Sequence, residues 1–369
     1  MSVDVYWRIA MEGDQKSLRE APSSRGGFTP GLAGALAPGR PGDGFSHADY
    51  MAEVIRASEE SGFVGGLLPN FPFTDDPWAA ASTLADETRS YRFMVAFQPG
   101  FLHPVQAARM AATLQRASGG RLVFNIISGG GGPQQLWWGD TTSHDDRYAR
   151  TSEFLDVLKQ VWTADAPLEH EGRFYSVAGA ALPRSLRGQP FPEIYFSGSS
   201  PAAIDAAGRH ADYYLSWLEP FDALAAKFAA VRAASPREPK FAVRIDILAR
   251  ETEDEAWAEV EAGWSALPPE ESVGESESVG WRRSQEFTSG RADLGYRGLE
   301  VAPNVWGGFH RLRPGPAFGL VGDYHQVAAR LDDLIDLGVG AFILAGVPHL
   351  EEARRVGRHV LPLLKGTTS

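Results

Sequence analysis

Short apolar runs that end in Gly, Pro or Ser alternate along the chain with longer Ala-rich segments whose apolar positions recur every three or four residues. The runs VDVYWRI, GFVGGLLP, RFMVAFQP, RLVFNIISG, EIYFSGS, DYYLSWLE, FAVRIDILAR and GAFILAG predict strands. The segments HADYMAEVIRASEESG, PVQAARMAATLQRASGG, SEFLDVLKQVWTAD, DALAAKFAAVRAA and YHQVAARLDDLIDLG carry the helical period, and several close on a glycine suited to a C-terminal cap. Apolar strands alternating with helices read as βαβ units around a parallel sheet. Eight of them predict an α/β fold of the (β/α)8 TIM-barrel type, formed as one domain by residues 1–369.

The rhythm breaks once. Between TEDEAWAEVEAGWSAL and the helix starting near Tyr324 lie more than fifty residues rich in Ser, Glu, Gly and Pro. A connection that long after the seventh strand is usually functional or mobile, so residues of about 266–320 are expected to form a mobile lid over the C-terminal mouth. A surface excursion is the alternative.

Composition narrows the partners. A hydrophobic content of 43% and a charged content of 22% fit a globular chain with a substantial core. A net charge of -12 without a long basic block argues against nucleic acid and against an anionic membrane surface, which leaves a small molecule as the expected partner. The absence of Cys removes disulfides, thiolate metal sites and Cys nucleophiles, and fits a reducing compartment. The start MSVDVYWRIAMEGD lacks the pattern of a secretory leader, and the apolar run around GVGAFILAGV is too short to span a bilayer. A cytoplasmic protein is expected.

Active sites of such barrels are built at the C-terminal strand ends. In YFSGSSPAAIDAAG, from Tyr195 to Gly208, an apolar run stops in Gly and Ser and turns at once into a helical pattern. The first N–H groups of that helix, beside Ser199 and Ser200, suit a phosphate, although simple helix capping produces the same pattern. In FAVRIDIL the apolar Val243, Ile245 and Ile247 alternate with Arg244 and Asp246, so the charged pair is expected to point into the barrel. It is there either as an interior ion pair or to recognise an anion. Four consecutive glycines in FNIISGGGGPQQLWWGD permit close approach to a flat ligand or simply make a turn. The chain has no phosphate loop of the Gly-x-x-x-x-Gly-Lys type, no Gly-x-Gly-x-x-Gly, no Gly-x-Ser-x-Gly and no His-Glu-x-x-His; HDDRY, His144 to Tyr148, has no second His in helical register, so no metal is expected. Difficult chemistry then requires an organic cofactor anchored at Ser199 and Ser200.

The motifs VAFQPGFLHPVQAARMAATLQRASGGRLVFNIISG, HDDRYARTSEFLDVLKQVW, EIYFSGSS, YYLSWLEP, RETEDEAW, APNVWGG, LVGD and VPHLEEARRVG span nearly the whole chain. Through them the protein resembles the bacterial-luciferase-like flavin monooxygenases, and within these the alkanesulfonate monooxygenase group. The resemblance implies a two-component enzyme that takes reduced FMN from a separate NAD(P)H-dependent flavin reductase, uses O2, and cleaves the C–S bond of an organosulfonate to give an aldehyde and sulfite. It also implies a homodimer or homotetramer. By position it makes Ser199, Ser200 and Tyr148 the phosphate cradle, puts Asn125 and Ser128 beside the isoalloxazine ring, and gives Trp217 a place in the pocket wall. Arg244 becomes the barrel-wall Arg, and Arg313 in HRLRPG the lid Arg that closes over flavin and substrate.

Four positions depart from that group. Glu12 stands where a His is expected in the first-strand motif, Asp246 where a His follows the barrel Arg, Thr74 in place of a Cys, and Val347 in place of a Tyr. Two carboxylates near the mouth oppose an anionic substrate unless Arg8, Arg244 or Arg313 neutralises them. Glu12 or Asp246 would serve as acid or base if burial raised its pKa. The alternatives are the same chemistry on an amine or a larger apolar compound, a deazaflavin-dependent oxidoreductase, and a non-catalytic flavin-binding barrel.

Overall fold

The computed structural model describes residues 3–9, 11, 47–71, 74–129, 133–265, 279–289, 291, 294–312 and 317–366. Eight parallel strands close on themselves: β1 (Asp4–Arg8), β2 (Gly65–Leu68), β3 (Arg92–Phe97), β4 (Leu122–Ile126), β5 (Ile194–Ser197), β6 (Tyr213–Trp217), β7 (Lys240–Arg250) and β8 (Val339–Ala345). Each pairs with the next, and β8 returns to β1 with Trp7 opposite Leu344. These are the eight runs that the hydrophobic pattern predicts. Full closure leaves no barrel edge to protect. Among the described residues no helix is long and apolar enough to cross a membrane.

Period-two alternation sorts each strand into two cores. Trp7, Phe124, Val243, Ile245 and Ile247 face outward and pack beneath the helices, while Tyr6, Met94, Val123, Tyr195, Leu215, Ala242 and Ala341 fill the interior. Tyr195 stacks on Tyr213 at 4.4 Å between ring centroids and meets Tyr6 edge-on at 5.8 Å. Below them Arg92 bonds Asp4 and Glu193, and Lys240 stands 4.0 Å from Glu193. The N-terminal half is therefore a plugged floor. The C-terminal half, where barrels of this kind build their sites, is left for ligand chemistry.

The seventh strand, with 11 residues, is longer than its neighbours of 5 and 7. Up to Asp246 it pairs with β8, but from Asp246 to Arg250 it also carries the parallel segment Gly319–Asp323, which in turn bears Val305–Trp306 and Glu300–Ala302 in antiparallel pairing. This part of the insertion extends the barrel sheet. Strands of two or three residues are too short to show alternation, so the expectation of a lid over residues of about 266–320 carried no strands. A second, two-stranded antiparallel hairpin, Leu168–Glu171/Ser176–Ala180, lies between β4 and β5; its polar strands leave no apolar run in the sequence. The extension has its own core, built from Leu248, Trp257, Trp306, Phe309, Leu312 and Val321.

Candidate active site

At the end of β5 the chain passes through Gly198 to the helix Pro201–His210, whose N-cap is Ser200. The Ser200 Oγ accepts from the Ala203 N–H at 3.2 Å, and Pro201 occupies the first turn, where its missing N–H is no loss. Gly198 has φ +147, and a Cβ on it would stand 2.4 Å from the Ala203 Cβ and 2.8 Å from the Tyr148 hydroxyl. Only glycine lets these groups converge. Tyr214 donates its hydroxyl to the Gly198 carbonyl at 2.6 Å and also meets Ser199, while the Tyr148 hydroxyl meets Ser200. Burial pushes both phenols above their ordinary range, so they remain neutral donors. Neutral hydroxyls around the N-terminus of a ten-residue helix suit a dianionic group.

Asn125 projects inward from β4, level with Ala96 and Tyr195 on the adjacent strands. It is buried, and its side-chain oxygen has no hydrogen-bond partner. An orphaned buried acceptor is costly, and a ring N–H of a bound flavin is a donor that would satisfy it. Beyond the strand end Ser128 donates to the Thr151 hydroxyl at 3.0 Å, on the long helix that also carries Tyr148. Hydroxyls at a helix N-terminus and an orphaned amide oxygen at one mouth are groups that would suit the phosphate and ring of a flavin mononucleotide.

On β7 the alternation expected from FAVRIDIL holds: Arg244 and Asp246 lie on the same face as the interior Ala242. They are 6% and 0% exposed, and Nη2 of Arg244 stands 2.8 Å from Oδ1 of Asp246. Trp217 is the register partner of Arg244 on β6. Across the rim, Arg8 shares the inward face of Tyr6 and its Nη1 donates to Nε2 of His349 at 3.1 Å, both residues being buried.

The remaining candidates are placed differently. The Thr74 hydroxyl donates to the Phe71 carbonyl at 3.0 Å and accepts from the Phe71 N–H at 3.1 Å, which ties it into its own turn. Val347 is buried in the aromatic core of the insertion, with Trp306 and Val321. Glu12 and Arg313 lie outside the described residues. Sequence reasoning missed Tyr214, Thr151 and His349, and it missed an ion-paired trio around a buried carboxylate just past β6. There Glu219 accepts from Lys227 at 2.5 Å and from Arg283 at 2.9 and 3.1 Å. One signal was present: Lys227 falls on the apolar stripe of Leu224, Phe228 and Val231, where a cation needs a buried partner.

A closed parallel barrel that gathers buried hydroxyls at a helix N-terminus and an orphaned amide oxygen at its C-terminal mouth has the architecture of barrels that act at that end. Residues 28–341 match the model of the luciferase-like monooxygenases, and the chain belongs to that family of flavin-dependent monooxygenases. Among solved structures it is similar to the riboflavin lyase RcaE with modified FMN and riboflavin, at 16% identity and a TM-score of 0.71, covering 100% of this chain and 94% of that one. It is similar to the long-chain alkane monooxygenase LadA at 17% identity and a TM-score of 0.71, covering 98% and 91%. The EDTA monooxygenase EmoA from Chelativorans sp. follows at 18% identity and a TM-score of 0.68, covering 98% and 93%. At such identities the likeness shows the fold.

Proposed function

We propose that the protein is the oxygenating component of a two-component system that uses reduced FMN from a separate NAD(P)H-dependent reductase, together with O2, to cleave an organosulfonate oxidatively to an aldehyde and sulfite. One oxygen atom goes to carbon and the other leaves as water, with the reduced flavin supplying the two electrons. The observation that carries the reading is the convergence of Ser199, Ser200, Tyr148 and Tyr214 on one helix N-terminus, at the same mouth as the orphaned Asn125 oxygen. Bound reduced FMN supplies the activation of O2. Tyr148, Ser199 and Ser200 bind its phosphate, and Asn125 with Ser128 orients its ring. Trp217 walls the pocket and helps keep it dry. The inward guanidiniums of Arg244 and Arg8 support an anionic head group, since forked donors match the three oxygens of a sulfonate. Asp246 and Glu12 are the proposed acid–base groups, and Arg313 is the proposed lid cation. Thr74 and Val347 belong to this proposal only through the resemblance. Dependence on a pyridine-nucleotide-driven reductase supports a cytoplasmic protein, and the resemblance supports a homodimer or homotetramer.

The ion pair of Asp246 with Arg244 favours a second reading, in which the same chemistry acts on a neutral or amine-bearing organic substrate. One experiment separates them: photoreduced FMN is bound to the protein without oxygen, O2 is admitted, and flavin absorbance and sulfite are followed across a panel of sulfonates. Sulfite release supports the first reading. Oxygenation of amines or larger organics with no sulfite from any sulfonate supports the second, and failure to bind reduced FMN sinks both.

A further inference from the structure

Glu219 accepts bonds from two cations that belong to different parts of the chain. It is 2% exposed and follows Trp217 by two residues, and the intervening Leu218 donates its N–H to the Arg244 carbonyl at 3.1 Å, so the carboxylate is held rigidly against the wall of the site. Lys227, on the helix Phe221–Ala234, reaches it from below and also donates to the Ser216 hydroxyl at 3.1 Å. That pair already satisfies a buried carboxylate next to a buried ammonium. The second cation, Arg283, comes from 64 residues further along, on the insertion helix Val279–Thr288, and grips both carboxylate oxygens with Nε and Nη2. A planar fork on a rigid carboxylate fixes direction as well as distance.

The rest of the helix shows why this contact matters. At its C-terminal end Phe287 meets Phe318 edge-on at 6.0 Å, and Thr288 packs so closely over Gly307 that a Cβ there would stand 2.6 Å from the Thr288 methyl. Its middle reaches the barrel through Arg283, whose guanidinium also lies 5.6 Å from the Phe287 ring. Behind Glu219 stands Tyr214, which feels the charges of both Glu219 and Arg283 and donates its hydroxyl to Gly198 in the cradle. The helix therefore docks at the phosphate end of the mouth. We propose that Glu219 is a positioning residue for the reaction: by accepting the Arg283 fork it sets the insertion helix Val279–Thr288 over the cofactor end of the site and limits the entry of water there. What lies under the helix rests on the flavin reading above; the docking itself does not. Burial raises the Glu219 carboxyl, but the bonds from Arg283 and Lys227 outweigh it and hold the group below its ordinary range, ionised and able to accept from both.

Glu219→Gln would strand Lys227 in the interior, so the arm to cut is Arg283, which is one-third exposed. Amide hydrogen exchange is measured on the protein without flavin for the wild type, Arg283→Ala and Arg283→Lys, and the rate at which O2 reoxidises bound reduced FMN is measured for the same three. Arg283→Ala is expected to raise exchange across residues 279–288 about tenfold or more, with β6 and the helix Phe221–Ala234 unchanged. Arg283→Lys, which keeps the charge but not the fork, is expected to recover part of that protection. Reoxidation is expected to quicken several-fold in Arg283→Ala and to recover in parallel. Wild-type exchange in Arg283→Ala overturns the docking. Raised exchange with an unchanged reoxidation rate overturns the role over the cofactor. A wild type that fails to bind reduced FMN overturns the flavin reading, and with it the role over the cofactor, while the exchange data still decide the docking.

Discussion

Asp246 holds Arg244 across a single turn of the strand pleat: the two side chains leave the same face of β7, two residues apart, and meet at 2.8 Å inside the barrel. Breaking such a pair from one side leaves a buried charge uncompensated. Asp246→Asn is therefore expected to cost about 3 kcal/mol of stability, and the double variant Arg244→Met/Asp246→Leu to cost less than that single change. Urea denaturation of Arg244→Met, Asp246→Leu and the double closes the cycle. Full additivity of the two single changes would mean that the pair is not coupled. Turnover and its pH profile separate structure from chemistry, because an Asp246 that holds no proton in the reaction leaves both unaltered in the Asn variant once it is folded.

The cradle makes a prediction that needs no substrate. Ser200 caps the helix Pro201–His210, so Ser200→Ala is expected to lower stability by about 1 kcal/mol. If the same hydroxyl also meets a phosphate, the variant loses a bond to a charged group, on the order of tenfold in FMN affinity. Riboflavin, which lacks the phosphate, is expected to bind wild type and variant alike. Fluorescence titrations with both flavins test this, and an equal loss for the two would remove the phosphate from Ser200.

Legibility followed sequence distance and period. The barrel strands were readable because they are buried on both faces and leave nearly continuous apolar runs, as in RFMVAFQP and RLVFNIISG. The inward direction of Arg244 and Asp246 was readable because alternation is local. The partner of Arg8 was not: His349 lies 341 residues away, and only barrel closure between β8 and β1 brings them together. Tyr214 was hidden inside a strand that reads simply as apolar, and the strands at Glu300–Ala302 and Val305–Trp306 were too short to carry a period. Long-range pairing and very short elements are what a single sequence expresses least.

Val347 bears on substrate reach. It is 6% exposed and packs among Trp306, Val321 and Leu248. A phenol ring added there enters a filled core, so Val347→Tyr is expected to cost about 1–3 kcal/mol through overpacking. A thermal melt measures it. An unchanged midpoint would show that the position opens toward the pocket with room for a larger side chain.

His210, at the end of the helix that the cradle begins, sets part of the acid stability. Burial first, then the charges of Lys159, Arg209 and Arg237, lower its pKa from 6.5 to about 3. The Asp156 carboxylate, 4.0 Å from Nε2, does not offset them. The ring is neutral and meets the Ser152 hydroxyl at 2.8 Å, with Lys159 3.4 Å from its other nitrogen. Because the folded pKa lies below the unfolded one, the unfolded chain binds the proton more readily between about pH 6.5 and pH 3. Stability from this group is complete above pH 6.5 and is lost progressively as pH falls toward 3, by roughly 5 kcal/mol over the whole window. His210→Gln keeps polar contact with Ser152 but does not titrate. Denaturation midpoints at pH 7, 5.5 and 4.5 are expected to fall more steeply for the wild type than for the variant, since the carboxylates that also titrate there are common to both. Parallel curves would mean that His210 opens to water and protonates without unfolding the chain.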